Sequence, residues 1–88
     1  MTLEKLFKNE FDYKPMIMDI LKGSISNEQK KFNPVLEDLY ESIMFRISGD
    51  GLYFATKPIQ SSEKEAYPVQ FGIPFKEIGT ENLTLFDN

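Results

Sequence analysis

Histidine, cysteine and tryptophan are all absent from this 88-residue chain. Without imidazole or thiol groups the chain has no side chain that ordinarily titrates near neutral pH, no thiolate nucleophile, and no nitrogen or sulfur ligand for zinc. A serine–histidine hydrolase site, a cysteine–histidine pair, a zinc finger and a disulfide framework are therefore excluded. The chemistry that remains belongs to carboxylates, lysines, hydroxyls, four tyrosines and a single arginine.

Positive charge is also scarce, and Arg46 is the one arginine. The formal charge is −4, and the imbalance lies in residues 34–88, which hold nine acids against three lysines and Arg46. Surfaces that bind DNA or RNA need clustered lysine and arginine, so direct nucleic-acid binding is not expected. An acidic surface instead suits a larger protein partner with a basic or apolar site.

Long apolar runs are missing as well. No run approaches the roughly 20 residues of a membrane span, and Glu4, Lys5 and Lys8 interrupt any secretory signal. We therefore expect no membrane partner and a cytoplasmic location. The chain is nonetheless 41% hydrophobic with eight phenylalanines, which is too apolar for a disordered segment. It predicts one domain over residues 1–80, with residues 81–88 as a C-terminal tail or last strand.

The first half of the chain predicts helices. Thr2 is a candidate N-cap for a first helix, and apolar residues at helical spacing predict a second helix that stops near Gly23. Ser26 and Gln29 have the spacing of a capping box, which indicates a short third helix. A further apolar stripe predicts a helix near residues 34–42.

The apolar period then changes from helical to alternating. Two alternating runs flank Ser48-Gly49-Asp50-Gly51, which predicts a β-hairpin over residues 43–57. One face is expected to carry Ile43, Phe45, Ile47, Leu52 and Phe54, and the other Met44, Arg46, Tyr53 and Ala55. Residues 67–73 alternate in the same way, and Pro68 and Pro74 predict that this third strand lies at a sheet edge or ends early. The predicted fold class is α+β, with two or three N-terminal helices packed on a small antiparallel sheet.

The segment Asn82-Leu83-Thr84-Leu85-Phe86 resembles the pentapeptide Gln-Leu-(Ser/Asp)-Leu-Phe with which bacterial polymerases and repair proteins dock on the replicative sliding clamp. The resemblance covers five residues, and Asn82 stands where glutamine is usual. It implies an extended tail whose Leu83, Leu85 and Phe86 side chains enter an apolar pocket of the clamp. The alternative is that these three side chains form a last strand or pack over the small core.

Acidic residues form a second candidate site. Glu37, Asp38 and Glu41 lie within one predicted helix and could present spaced negative charge to a surface built for phosphates, as a DNA-mimic inhibitor does. Acids near a helix N-terminus also stabilise the helix dipole without any partner.

Arg46 and Tyr53 form the third candidate, on the outer face of the predicted hairpin. Arg46 could hold a carboxylate or phosphate, or it could stack on Tyr53 across the strands. Together with Tyr67 they could surround a small ligand. The face is too apolar for bare solvent, so either a helix or a partner is expected to cover it, and a homodimer through this face or an open sheet edge is a further possibility.

Enzyme activity is not expected from these residues. A catalytic carboxylate pair needs a desolvated cleft, and a chain of this length has little volume for one. The segment around Asp50 lacks the ligand spacing of a calcium loop and the lysine of a phosphate-binding loop, so neither metal nor cofactor is expected. The function predicted is a non-enzymatic inhibitor, adaptor or immunity-type protein, with a DNA mimic or a small-ligand-binding domain as alternatives.

Overall fold

The computed structural model describes residues 2–86 and begins with four helices. They are α1 (Leu3–Leu6), α2 (Tyr13–Ser24), α3 (Asn27–Lys30) and α4 (Leu36–Glu41). Only α2 is long, and it packs against α4 and the sheet, so the helical layer is built around it.

Two of the short helices begin at the caps that the sequence predicts. The Thr2 hydroxyl accepts a hydrogen bond from the Lys5 N–H at the start of α1. At α3 the capping box is complete, because the Ser26 hydroxyl accepts from the Gln29 N–H while the Gln29 side chain accepts from the Ser26 N–H. Each bond satisfies a backbone donor that the first helical turn leaves unpaired.

The second half of the chain forms two antiparallel sheets. Strands β1 (Met44–Ile47), β2 (Gly51–Ala55) and β5 (Gln70–Pro74) make a three-stranded sheet with β2 in the centre. Strands β3 (Ile59–Gln60) and β4 (Ala66–Tyr67) make a separate two-stranded sheet. The α+β class is confirmed, and so is the hairpin, in which Phe45 lies opposite Phe54 and Arg46 opposite Tyr53.

The predicted third strand differs from the one observed. Residues 67–73 are divided, because Tyr67 pairs with Ile59 in the small sheet and only the part from Gln70 onward pairs with β2. Pro68 lies at the division and cannot donate a backbone hydrogen bond to a ladder. The sequence reasoning also missed α5 (Phe75–Ile78), which begins directly after Pro74 and ends at Gly79, where φ is 87°.

The hydrophobic core lies between the helices and the inner face of the three-stranded sheet. Its main cluster joins side chains from both ends of the chain with side chains from the sheet: Leu6, Phe7, Ile17, Leu52, Phe54, Ile73, Ile78 and Leu83. Gly51 is also buried, and a Cβ placed there would lie 2.4 Å from the Ile73 carbonyl oxygen, so β2 and β5 approach too closely for any other residue. Within residues 2–86, no helix has the length and apolar character needed to cross a bilayer.

Candidate functional site on the outer sheet face

In the part of the chain that the structure describes, helices cover only one side of the three-stranded sheet, and its other side is exposed. Because side chains alternate along a strand, the uncovered side carries every second residue of the three strands. We call it the outer face, and it consists of Met44, Arg46, Tyr53, Ala55, Gln70 and Gly72. Met44 is 72% exposed and Tyr53 is 37% exposed, so two large side chains of this face are open to solvent.

Tyr53 is held in place from three directions on this face. The guanidinium carbon of Arg46 lies 5.1 Å from the centre of the Tyr53 ring. On the opposite strand the ring lies over Gly72, where an added Cβ would come within 2.9 Å of Tyr53 Cε1. The Tyr53 hydroxyl donates to the Asp50 carboxylate at 3.4 Å. Arg46 and Tyr53 therefore stack as the structural alternative predicted, so the pair is already formed in the chain without a partner.

Asp50 connects the outer face to the hairpin turn. The Ser48 hydroxyl donates to its carboxylate at 2.6 Å, and Ser48 also donates its N–H to the Gly51 carbonyl across the turn. The hydrogen bond from Ser48 holds the pKa of Asp50 below its ordinary value, with a smaller contribution in the same direction from Tyr53. The Asp50 carboxylate is therefore charged at neutral pH, and it accepts the hydrogen bond from the Tyr53 hydroxyl.

An open groove of about 700 Å³ lies along the outer face. Residues of all three strands line it, and its ionisable side chains are Arg46 and Tyr53. Within residues 2–86, no carboxylate lines the groove. The arrangement can therefore accept an apolar group beside a negatively charged one.

The three predicted acids lie elsewhere, on α4. Glu37, Asp38 and Glu41 are all exposed, and α4 packs on α2 in the helical layer rather than near the outer face. Glu37 accepts a salt bridge from Lys14 at 3.2 Å. The charge of one of the three acids is therefore partly balanced within the domain. Within residues 2–86, no group of three or more acidic side chains is placed to hold a metal ion.

The structure places Leu83 in the core, as the alternative to a docking peptide predicts. Leu83 is fully buried and forms a β-bridge with Phe7, and the Thr84 hydroxyl donates to the carbonyls of Lys5 and Leu6. Residues Thr84–Phe86 form a 3₁₀ turn rather than an extended strand, and Leu85 and Phe86 remain 36% and 47% exposed. Leu83 belongs to the core in this structure, and the clamp-docking role of the segment stays a prediction.

The proposed ligand site of three aromatic and basic side chains is not assembled either. Tyr67 lies in β4, outside the outer face, and donates its hydroxyl to Glu65, which raises the pKa of Tyr67. Sequence reasoning missed Gly72 and Gln70 as members of the outer face. A glycine inside an alternating strand was the available signal, because it marks a place where a cross-strand aromatic ring can lie flat.

Comparison with known proteins supplies no relative for this fold. No protein-family model matches the chain, and neither the curated proteins nor the solved structures contain a match.

Proposed function

We propose that this protein is a non-catalytic protein-binding domain of the cytoplasm, and that its outer face is the binding surface. The observation that supports this most directly is the stacked Arg46 and Tyr53 pair on an uncovered apolar groove. Tyrosine and arginine are the residue types that most often dominate binding energy at protein interfaces, and methionine is enriched there as well.

The contacts of Tyr53 within the chain favour binding over solvent exposure alone. The ring lies against Gly72 and under Arg46, and its hydroxyl donates to Asp50, so these contacts order the side chain. A side chain that is already ordered loses little entropy when a partner covers it, so more of the contact energy is available for affinity.

The chemistry of the groove defines the complementary surface. Arg46 is exposed, and within residues 2–86 no acidic side chain forms a salt bridge with it. A partner that places a carboxylate beside Arg46 and an apolar side chain in the groove would satisfy both features. The acids of α4 lie on the helical side, so they do not determine which charge the outer face prefers. In this proposal the domain acts as an inhibitor or adaptor that covers part of a larger protein.

The proposal is tested by photo-crosslinking from the groove. A benzophenone amino acid is placed at Gln70, and a matched control is placed at Glu63, which is exposed in the loop between β3 and β4. After irradiation in extract of the source cells, we expect one protein to crosslink from position 70 and not from position 63. The same protein should be lost in a Tyr53→Ala background that keeps its melting temperature.

Binding measurements between the purified domain and the identified protein then give the contribution of each side chain to affinity. Arg46→Ala and Tyr53→Ala should each weaken binding of the identified protein about tenfold or more, as truncation of an interface anchor does. A variant with Glu37→Gln and Glu41→Gln should bind normally. If that variant loses binding while Tyr53→Ala retains it, the binding surface is α4 and the DNA-mimic alternative replaces this proposal. If neither position crosslinks a protein and an anionic metabolite raises the melting temperature only when Arg46 is present, the domain binds a small ligand.

A further inference from the structure

The outer edge of β1 is the open side of the three-stranded sheet. The order of the sheet leaves β1 and β5 as its two edge strands. The β5 edge is limited by Pro74 within the strand and Pro68 just before it, and both lack the N–H that a further strand would need. Strand β1 has the sequence Met-Phe-Arg-Ile and contains no proline, glycine, lysine or acid that would discourage pairing.

Backbone groups on this edge point away from the sheet. Ser48 and Gly51 are joined by a hydrogen bond across the turn, and the alternation of an antiparallel ladder then assigns Arg46 and Met44 to bonds with β2. The N–H and C=O groups of Phe45 and Ile47 therefore face outward. Within residues 2–86, no other strand pairs along this side of β1.

Apolar side chains on the inner side of β1 are incompletely covered. Helices α2 and α5 pack against β5, and α5 also packs against β2, whereas the close packing of β1 within residues 2–86 is against β2 alone. As a result Ile47 is 44% exposed although it shares a face with the fully buried Leu52. Phe45 is also only half-buried.

We propose that the β1 edge pairs with the β1 edge of a second copy of this chain, in antiparallel orientation, around a two-fold axis that passes through Phe45. This axis sets Phe45 opposite its own copy and Ile43 opposite the second copy's Ile47 on the inner side. On the outer side it sets Met44 opposite the second copy's Arg46. The two sheets become one continuous sheet of six strands, and the exposed inner side chains of β1 cover each other.

Neighbouring registers of the same pairing are unfavourable. An axis through Arg46 would place two guanidinium groups directly opposite each other, and like charges in that position repel. An axis through Met44 would set Ile47 against Glu41, which belongs to α4 and offers no strand edge. In the register with the axis through Phe45, the outward backbone groups of Phe45 pair with those of its own copy, and the Ile47 N–H donates to the second copy's Ile43 carbonyl. The Ile43 N–H already donates to the Tyr40 carbonyl within the chain, so it takes no part in the pairing. The pairing is distinct from outer-face binding, and either can fail without the other.

The absence of cysteine makes the register directly testable. Met44→Cys and Arg46→Cys variants are prepared separately, mixed and oxidised. In the proposed register, Met44 and the second copy's Arg46 form a pair without backbone hydrogen bonds between them, and the Cα atoms of such a pair lie about 4.5 Å apart. This distance is within the roughly 4.4–6.8 Å that a disulfide spans. We expect the mixed disulfide to exceed each homodisulfide by well over the twofold ratio of random pairing. A random ratio, or an excess of either homodisulfide, would overturn the proposed register. Glu63→Cys mixed with Met44→Cys measures the background of chance collisions.

Sedimentation of the chain without cysteine supplies the second measurement. The average mass should rise from that of one chain toward that of two as concentration increases. Met44→Lys places a lysine opposite the second copy's Arg46 and should weaken the association at least tenfold, while Met44→Lys combined with Arg46→Glu should restore it. Tyr53→Ala, which removes the proposed outer-face anchor, should leave the association unchanged. If the mass stays at that of one chain at all concentrations up to the millimolar range, the β1 pairing is wrong. The proposal of outer-face binding is unaffected by that result.

Discussion

At the residue scale, Leu83 decides how the C-terminal segment is understood. Leu83 is fully buried beside Phe7, whereas Leu85 is one-third exposed two residues later. A pentapeptide pattern specifies residue types only, and the same leucine can fill a pocket on a partner or a cavity in its own domain. The small core has few large side chains, so the chain itself uses Leu83.

Leu83→Ala should lower the free energy of unfolding by about 2–5 kcal/mol, because it removes a buried side chain and leaves a cavity beside Phe7. Leu85→Ala is the matched control and should cost less than about 1 kcal/mol, because its side chain is largely at the surface. Urea denaturation of both variants gives the comparison. Equal midpoints for the two variants would show that the segment does not contribute to the core.

At the element scale, the position of the hairpin and the division of its two faces were predictable, whereas its exact register was left between two choices. Alternation of Phe45 and Ile47 with Met44 and Arg46, and a glycine-containing turn, are local features that need no knowledge of the rest of the fold. The split of residues 67–73 was not predictable in this way, because alternation indicates a strand but not which strand it pairs with. Helix α5 was missed because four residues after a proline give too short a pattern to detect.

The hairpin turn should weaken as Asp50 becomes protonated. Its hydrogen bonds hold the pKa of Asp50 below the ordinary 3.8, so the stabilisation is present above that value and is lost as pH falls through the lower value of the folded state. We expect the native chain to melt at a higher temperature than Asp50→Asn at pH 6, and the difference to shrink below about pH 3.8. A difference that stays constant down to pH 2.5 would contradict this account of the turn.

At the scale of the whole molecule, the candidate site could be predicted only in part. The sequence placed Arg46 and Tyr53 together on an apolar face, because cross-strand neighbours follow from the hairpin register. It did not show that this face stays uncovered, since the side of a sheet on which helices pack depends on contacts between distant segments. The position of α4 relative to the outer face is likewise a tertiary property that spacing along the chain does not contain.

Removal of the C-terminal segment tests whether the two ends of the chain form one unit. A chain that ends at Thr80 lacks Leu83 and the hydroxyl of Thr84 that bonds to the end of α1. We expect it to melt at least about 8 °C below the full chain, because roughly 2 kcal/mol or more is lost and each kcal/mol shifts the melting temperature of a domain this size by about 4–8 °C. An unchanged melting temperature would show that the C-terminal segment does not stabilise the domain and behaves as a free tail.

The β-bridge between Phe7 and Leu83 also has a kinetic consequence. It joins positions near opposite ends of the chain, so almost the whole polypeptide must be ordered or looped before the bridge can form. The entropy lost in closing such a loop makes this contact late in folding, after the hairpin and α2 have reduced the distance between the ends. The same contact should open early when the domain unfolds. The lifetime of the folded state therefore depends on the contact between the end of α1 and the C-terminal segment.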